Sequence, residues 1–133
     1  MVFVFLDQET PRDRDLLESL NSHLKDFGSE RTQVLVVLRM TARQTRELAD
    51  ERGMSIPILA DASGSMARDF DADDGRSNRS VAIVADKYGR IVRRFDPISP
   101  QDDPSEVTSA LLYAVRALGS GALEGPGSKS SQR

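Results

Sequence analysis

Cysteine is absent from this chain, and histidine occurs once, at His23. Without cysteine there are no disulfides, no thiolate metal sites and no mechanism that needs a thiolate nucleophile. One histidine cannot build a His-based triad, and a catalytic zinc usually takes three protein ligands. Long hydrophobic runs are also missing. No stretch approaches the ~20 apolar residues that span a bilayer. The opening run Val2–Leu6 is too short for a signal peptide and has no basic flank. Positive charge is not in excess either: the net charge is −3 and the pI about 5.2. That argues against a partner held through nucleic-acid phosphates. These absences lead us to expect a cytoplasmic protein with no cofactor, no metal, no membrane span and no nucleic-acid partner.

What remains is ordinary for a globular domain. The 133 residues are 38% hydrophobic and 29% charged, enough for one domain with a single core. Val2-Phe3-Val4-Phe5-Leu6 is apolar on both faces, as in a central strand covered by helices on each side. Thr10 then reads as an N-cap, with Pro11 at N1 and Asp13 at N3, where it can close a capping box. Leu16, Leu17, Leu20, Leu24 and Phe27 follow helical spacing, so the first helix is predicted over 11–27, with Gly28 as its C′ residue.

A second strand is predicted over 33–40, around Val34-Leu35-Val36-Val37-Leu38. Thr41-Ala42-Arg43-Gln44 is another capping box, opening a half-exposed helix that runs to Gly53. Pro57 limits the segment 56–59 to a short strand at an edge. Asp61 can cap a short helix through Met66, Ala67 and Phe70. Residues 71–78 form a polar loop. Strands over 81–85 and 90–95 pair as a hairpin through Asp86-Lys87-Tyr88-Gly89, and Pro97 and Pro100 end it. A last helix begins at Asp103-Pro104, carries the stripe Val107, Leu111, Leu112, Val115 and Leu118, and ends at Gly119. Residues 120–133 are rich in Gly, Ser and Pro and are expected to be disordered alone. The chain thus divides into an α/β domain over 1–119 and a C-terminal tail over 120–133.

The order β-α-β-α-β-β-α is that of a minimal thioredoxin-like fold, with a mixed four-stranded sheet and helices on both faces. Three segments extend the likeness. Phe5 to Asp13 reads FLDQETPRD, Ile56 to Phe70 reads IPILADASGSMARDF, and Arg79 to Val92 reads RSVAIVADKYGRIV. In their order and spacing they resemble peroxiredoxins of the alkyl hydroperoxide reductase/thiol-specific antioxidant type, within the thioredoxin superfamily. Those proteins run strand, Thr-Pro-x-Cys, helix. Thr10 and Pro11 match that motif, and Asp13 stands where the resemblance places the peroxidatic cysteine. Arg79 matches the hairpin arginine that, in that family, helps stabilise the thiolate.

The resemblance implies a degenerate active site at Thr10, Pro11, Asp13 and Arg79, with no catalytic residue. Arg79 is expected either to pair with Asp13 or to be a solvated strand-end residue. Other clusters carry bland readings. Asp69, Asp71, Asp73 and Asp74 lack the glycine and glutamate that a calcium loop needs at its sixth and twelfth positions. Ser63-Gly64-Ser65 has neither the spacing nor the lysine of a phosphate loop. His23 reads as a surface or boundary residue. Arg90, Arg93 and Arg94 read as a solvated strand face or a surface for an acidic partner.

Function then points to a non-catalytic, cysteine-less domain that binds a protein or serves as a structural accessory subunit. The alternative is a peroxiredoxin-related redox enzyme acting with a partner's thiol. In a four-stranded sheet of order 2-1-3-4, the second strand lies at an edge. Val34, Val36 and Leu38 are therefore expected to pair with another protein, or with a second copy as a homodimer.

Overall fold

The computed structural model describes residues 1–7, 10–99 and 101–119. The elements in chain order are β1 (Val2–Phe5), α1 (Pro11–Ser22), α2 (Leu24–Ser29), β2 (Val34–Leu38), α3 (Ala42–Arg52), β3 (Ile58–Ala60), α4 (Ser65–Asp69), β4 (Val81–Ala85), β5 (Ile91–Phe95) and α5 (Pro104–Gly119). The expected tail over 120–133 and Pro100 lie outside the described residues.

The fold is thioredoxin-like, but its sheet has five strands in the order β3-β2-β1-β4-β5. β1 pairs with β2 in parallel and with β4 antiparallel; β2 pairs with β3 in parallel. β4 and β5 form the antiparallel hairpin, with a register shift between Val84 and Ala85.

This order corrects the edge assignment. Val34, Val36 and Leu38 do not lie at an edge, because β3 covers β2 along Val36–Leu38. Their exposures are 1%, 0% and 0%, so none is available to a partner strand. The physical reason lies in Pro57. Its ring removes an N–H donor, which confines it to an edge, yet its carbonyl still accepts from Val36 N at 3.0 Å. A short strand after a proline is enough to cover the apolar one. The unbroken apolar run of β2 thus marks a strand buried on both faces, between two parallel neighbours in a mixed sheet.

The predicted first helix is two. It breaks at His23, where side chains compete for helix carbonyls. Ser22 Oγ donates to Ser19 O at 2.9 Å, and His23 Nδ1 lies 2.8 Å from the same oxygen. Gly28 lies inside α2 rather than beyond its end, and the left-handed residue that follows is Arg31, at φ 55. The helix α3 matches expectation: Thr41 and Gln44 form both bonds of the capping box, and Gly53 ends the helix at φ 62.

The two faces of the sheet are covered unequally. On one, Leu16, Leu17, Leu20, Phe27, Leu111 and Val115 from α1, α2 and α5 pack on Val2, Val4, Val36, Leu38 and Val84. α3 lies on this side too, joined to α1 by Arg52–Glu18 at 2.7 Å and by Asn21, which accepts from Ser55 N and Ile56 N. On the other face the cover is α4 and the loop beyond it. Ala67 and Ala72 pack on Phe5, Val37, Val81 and Ile83. The Phe70 ring lies 5.4 Å from that of Phe3 and 5.6 Å from that of Phe5, centre to centre.

Candidate functional site

The strand β1 delivers the chain to the N-terminus of α1. Thr10 has extended backbone, φ −92 and ψ 138, as an N-cap requires, and its hydroxyl accepts from Asp13 N at 3.2 Å. Pro11 follows in the first turn. The reciprocal half of the capping box is absent: Thr10 N donates to Asp7 O at 3.2 Å, and the Asp13 carboxylate is turned inward.

Asp13 is 1% exposed. Its Oδ2 accepts from Asp7 N at 2.8 Å and from Ser80 Oγ at 2.7 Å. Its Oδ1 accepts from Arg12 Nε at 3.0 Å. The Arg12 guanidinium then reaches the Ser99 carbonyl, and the Ile98 carbonyl at 3.2 Å. One carboxylate therefore holds together the β1–α1 turn, the residue that precedes β4, and the segment that leads into α5. A buried charge persists only when paired and hydrogen-bonded in this way. The reading of Asp13 as a capping carboxylate at N3 does not include these tertiary contacts.

Arg79 lines the same cleft, of about 400 Å³, but does not meet Asp13. The expected Arg79–Asp13 pair is absent, and Arg79 is a partly exposed residue just before β4 whose guanidinium is paired elsewhere. Arg79 forks onto Asp96, with Nε to Oδ1 at 2.8 Å and Nη2 to Oδ2 at 3.0 Å. Its Nη1 donates to Asp74 Oδ1 at 3.1 Å, and it reaches the carbonyls of Asp71 and Asp73. Arg94 Nε joins at Asp96 Oδ2, 2.9 Å away. Both oxygens of Asp96 face this fork, a geometry suited to guanidinium, whereas those of Asp13 are already taken. The pairing holds Arg79 above its ordinary pKa, first through Asp96 and then through Asp74. It holds Asp96 below the usual carboxylate range, first through Arg79.

The remaining candidates separate. Asp73 pairs with Arg39, whose guanidinium packs on Gly64, and Asp74 pairs with Arg79, so the acidic loop is partly neutralised by arginine. Arg90 pairs with Asp86 at 2.8 Å, Arg94 with Asp96, and Arg93 lies 4.9 Å from the Phe95 ring centre. The hairpin arginines thus do not form one free basic patch. His23 sits at the α1–α2 junction. Among the described residues no group of three or more His, Cys, Asp or Glu could hold a metal ion, and no helix is long and apolar enough to cross a membrane.

Sequence reasoning missed Ser80, Arg12 and Asn78. Asn78 is 4% exposed, and its Nδ2 donates to Leu6 O at 3.3 Å and Val37 O at 3.1 Å, clasping the ends of two parallel strands. A lone polar residue in a polar loop carries no signal of that. Arg12 stood beside Asp13 in sequence, and its contact with 98–99 needed the fold.

Both oxygens of Asp13 are engaged by protein donors, and the nearby guanidinium is occupied by its own carboxylates.

The family model described as "AhpC/TSA family" matches residues 1–94. No curated protein matches the chain. Among solved structures, the bacterioferritin comigratory protein of Xanthomonas campestris superposes with a TM-score of 0.79 at 17% identity, covering 89% of this chain and 78% of that one. Peroxidoxin BcpB of Mycobacterium tuberculosis gives 0.75 at 19% identity, covering 88% and 79%. AhpC of Enterococcus faecalis gives 0.77 at 17% identity, covering 98% and 80%. At these identities the likeness establishes the fold.

Proposed function

The chain belongs to the AhpC/TSA family, and from that premise we propose that it is a non-catalytic member, acting in the cytoplasm by binding another protein. One observation carries this reading. At the position where the resemblance places the peroxidatic thiol stands Asp13, 1% exposed, with both oxygens held by Asp7 N, Ser80 Oγ and Arg12 Nε. A carboxylate so engaged neither attacks peroxide nor relays a proton to the cleft. The sequence supplies no cysteine to take over the role.

The test is peroxide consumption by purified protein, with and without a thiol reductant. No turnover above a buffer control is expected. Turnover that survives repurification and appears only with an added thiol would favour the alternative, a redox enzyme that borrows its partner's thiol. Asp13→Cys alone is expected to leave peroxide turnover absent, because Arg79 remains forked onto Asp96.

A further inference from the structure

We propose that the cleft beside Asp13 binds a primary ammonium on a short alkyl stem, the chemistry that a free amine and a lysine side chain share. A free amine goes beyond the binding role proposed above; a partner's lysine rests on it.

Asn78 lines this cleft and is 4% exposed. Its Nδ2 donates to Leu6 O and Val37 O, and two carbonyl partners fix which end of the amide is nitrogen. Neither Leu6 nor Val37 lines the cleft, so the oxygen is the end of the amide turned toward it. Asn78 Oδ1 accepts no hydrogen bond among the described residues. Buried acceptors are nearly always paired, and one without a donor carries the desolvation cost of an unmade bond. A donor held in the cleft removes that cost.

The neighbouring groups accept as well. Ser80 Oγ gives its hydrogen to Asp13 Oδ2, and Thr10 Oγ1 gives its own to Asp7 O, so both hydroxyls have only lone pairs left. Asp74 takes Arg79 Nη1 on Oδ1 and keeps Oδ2 without a partner, on a side chain 58% exposed. Arg79 has no N–H left to offer a ligand. All five go to Asp96, Asp74 and the carbonyls of Asp71 and Asp73.

Charge selects the donor. Asp7, Asp13 and Asp74 line the cleft against Arg12 and Arg79, three carboxylates to two guanidiniums. That balance disfavours an anion, and Asp13 already occupies the positive end of α1. It ranks an ammonium, with three donors and no acceptor, above a neutral hydroxyl. A guanidinium would need a carboxylate with both oxygens open to its fork, and Asp74 offers one. A metal ion is a poor fit, since among the described residues no group of three or more His, Cys, Asp or Glu could hold one. Pro97 and Ile98 complete the wall with apolar surface for the methylene stem.

The test titrates the ¹⁵N-labelled full chain with butylamine, which is protonated near neutral pH, and with butanol and butyrate. Butylamine is expected to shift the Asn78 side-chain amide and the backbone amides of Thr10, Ser77 and Ser80. It should bind at least about tenfold tighter than butanol, a difference of ~1.4 kcal/mol. Butyrate should leave these signals in place. Asn78→Leu should abolish butylamine binding. Because Asn78 also clasps β1 and β2, the exposed Asp74→Asn decides if that variant fails to fold; it should weaken butylamine at least about threefold. Equal binding of butylamine and butanol, binding of butyrate, shifts elsewhere, or an unchanged affinity in Asp74→Asn overturns the proposal. Acetyl-Gly-Lys-Gly-amide distinguishes the sources. Tighter binding than butylamine assigns the ammonium to a partner's lysine, and no tighter binding assigns it to a free amine. Peroxide turnover with selective butylamine binding would overturn the non-catalytic reading and leave this proposal standing. Absence of both would overturn this proposal alone.

Discussion

Ser80 Oγ donates to Asp13 Oδ2 at 2.7 Å, joining the first turn of α1 to the residue that precedes β4 across 67 positions of sequence. Asp13 is where an N-terminal carboxylate becomes a tertiary tie. An exposed cap or dipole contact contributes about 0.5–1 kcal/mol. Removing one partner of a buried pair costs about 3–5 kcal/mol, because the other charge is stranded. Asp13→Ala leaves Arg12, Ser80 and Asp7 N without their acceptor. Urea unfolding is expected to show a loss in the upper range, and Ser80→Ala a smaller loss of about 1–3 kcal/mol. A loss below ~1 kcal/mol for Asp13→Ala would reduce the residue to an ordinary cap.

Acid should weaken the fold through two carboxylates. Arg79, then Arg94, hold Asp96 low. Burial pushes Asp86 up, but the Arg90 N–H, the Arg90 guanidinium and the Tyr88 N–H outweigh it, and the net shift is downward. Both groups therefore ionise more readily folded than unfolded. Their contribution is complete above the unfolded carboxylate value of about 3.9 and is lost as pH falls through the lower folded values. Arg79→Gln should flatten the acid limb of the stability–pH curve, since Asp96 then returns towards its ordinary range. An acid limb identical to the parent's would show that this network contributes no pH dependence.

Two glycines with left-handed backbone should respond differently to alanine. Gly53, at φ 62, faces open space, so Gly53→Ala carries only the backbone cost of about 1–2 kcal/mol. Gly64, at φ 77, would aim its new methyl into the Arg39 guanidinium, which Asp73 holds. Gly64→Ala should therefore destabilise more than Gly53→Ala in parallel thermal unfolding. Equal shifts would mean that Arg39 moves aside freely.

The caps should separate by burial. Asp61 is 7% exposed and accepts from Met66 N at 3.2 Å and Ala67 N at 3.0 Å, holding the start of α4. Thr41 makes its capping box at the surface. N-cap losses run from about 0.5 to 2 kcal/mol. Asp61→Ala is expected at the top of that range and Thr41→Ala near its middle. Amide exchange should also rise at Met66 and Ala67 in the Asp61 variant alone.

Much of this was readable along the chain. The caps at Thr10, Thr41 and Asp61, the stop at Gly53 and the hairpin turn at Asp86–Gly89 are set by atoms within a few residues. The break at His23 was local too, but it came from side-chain competition for a carbonyl that hydrophobic spacing does not report.

What the chain alone determined was therefore the order of elements apart from the break at His23, the apolar strands and the absence of thiol chemistry, because each depends on local bonding or on which atoms exist. Tertiary structure decided the rest. Whether Val34–Leu38 lies at an edge depends on where the three residues Ile58–Ala60 come to rest, 20 or more positions away. Whether Arg79 meets Asp13 or Asp96 depends on which carboxylate offers free oxygens in space, and Ser80 and Arg12 had already taken those of Asp13. Partner choice among charged side chains is a contest between distant groups, and only the packed sheet brings the competitors within reach.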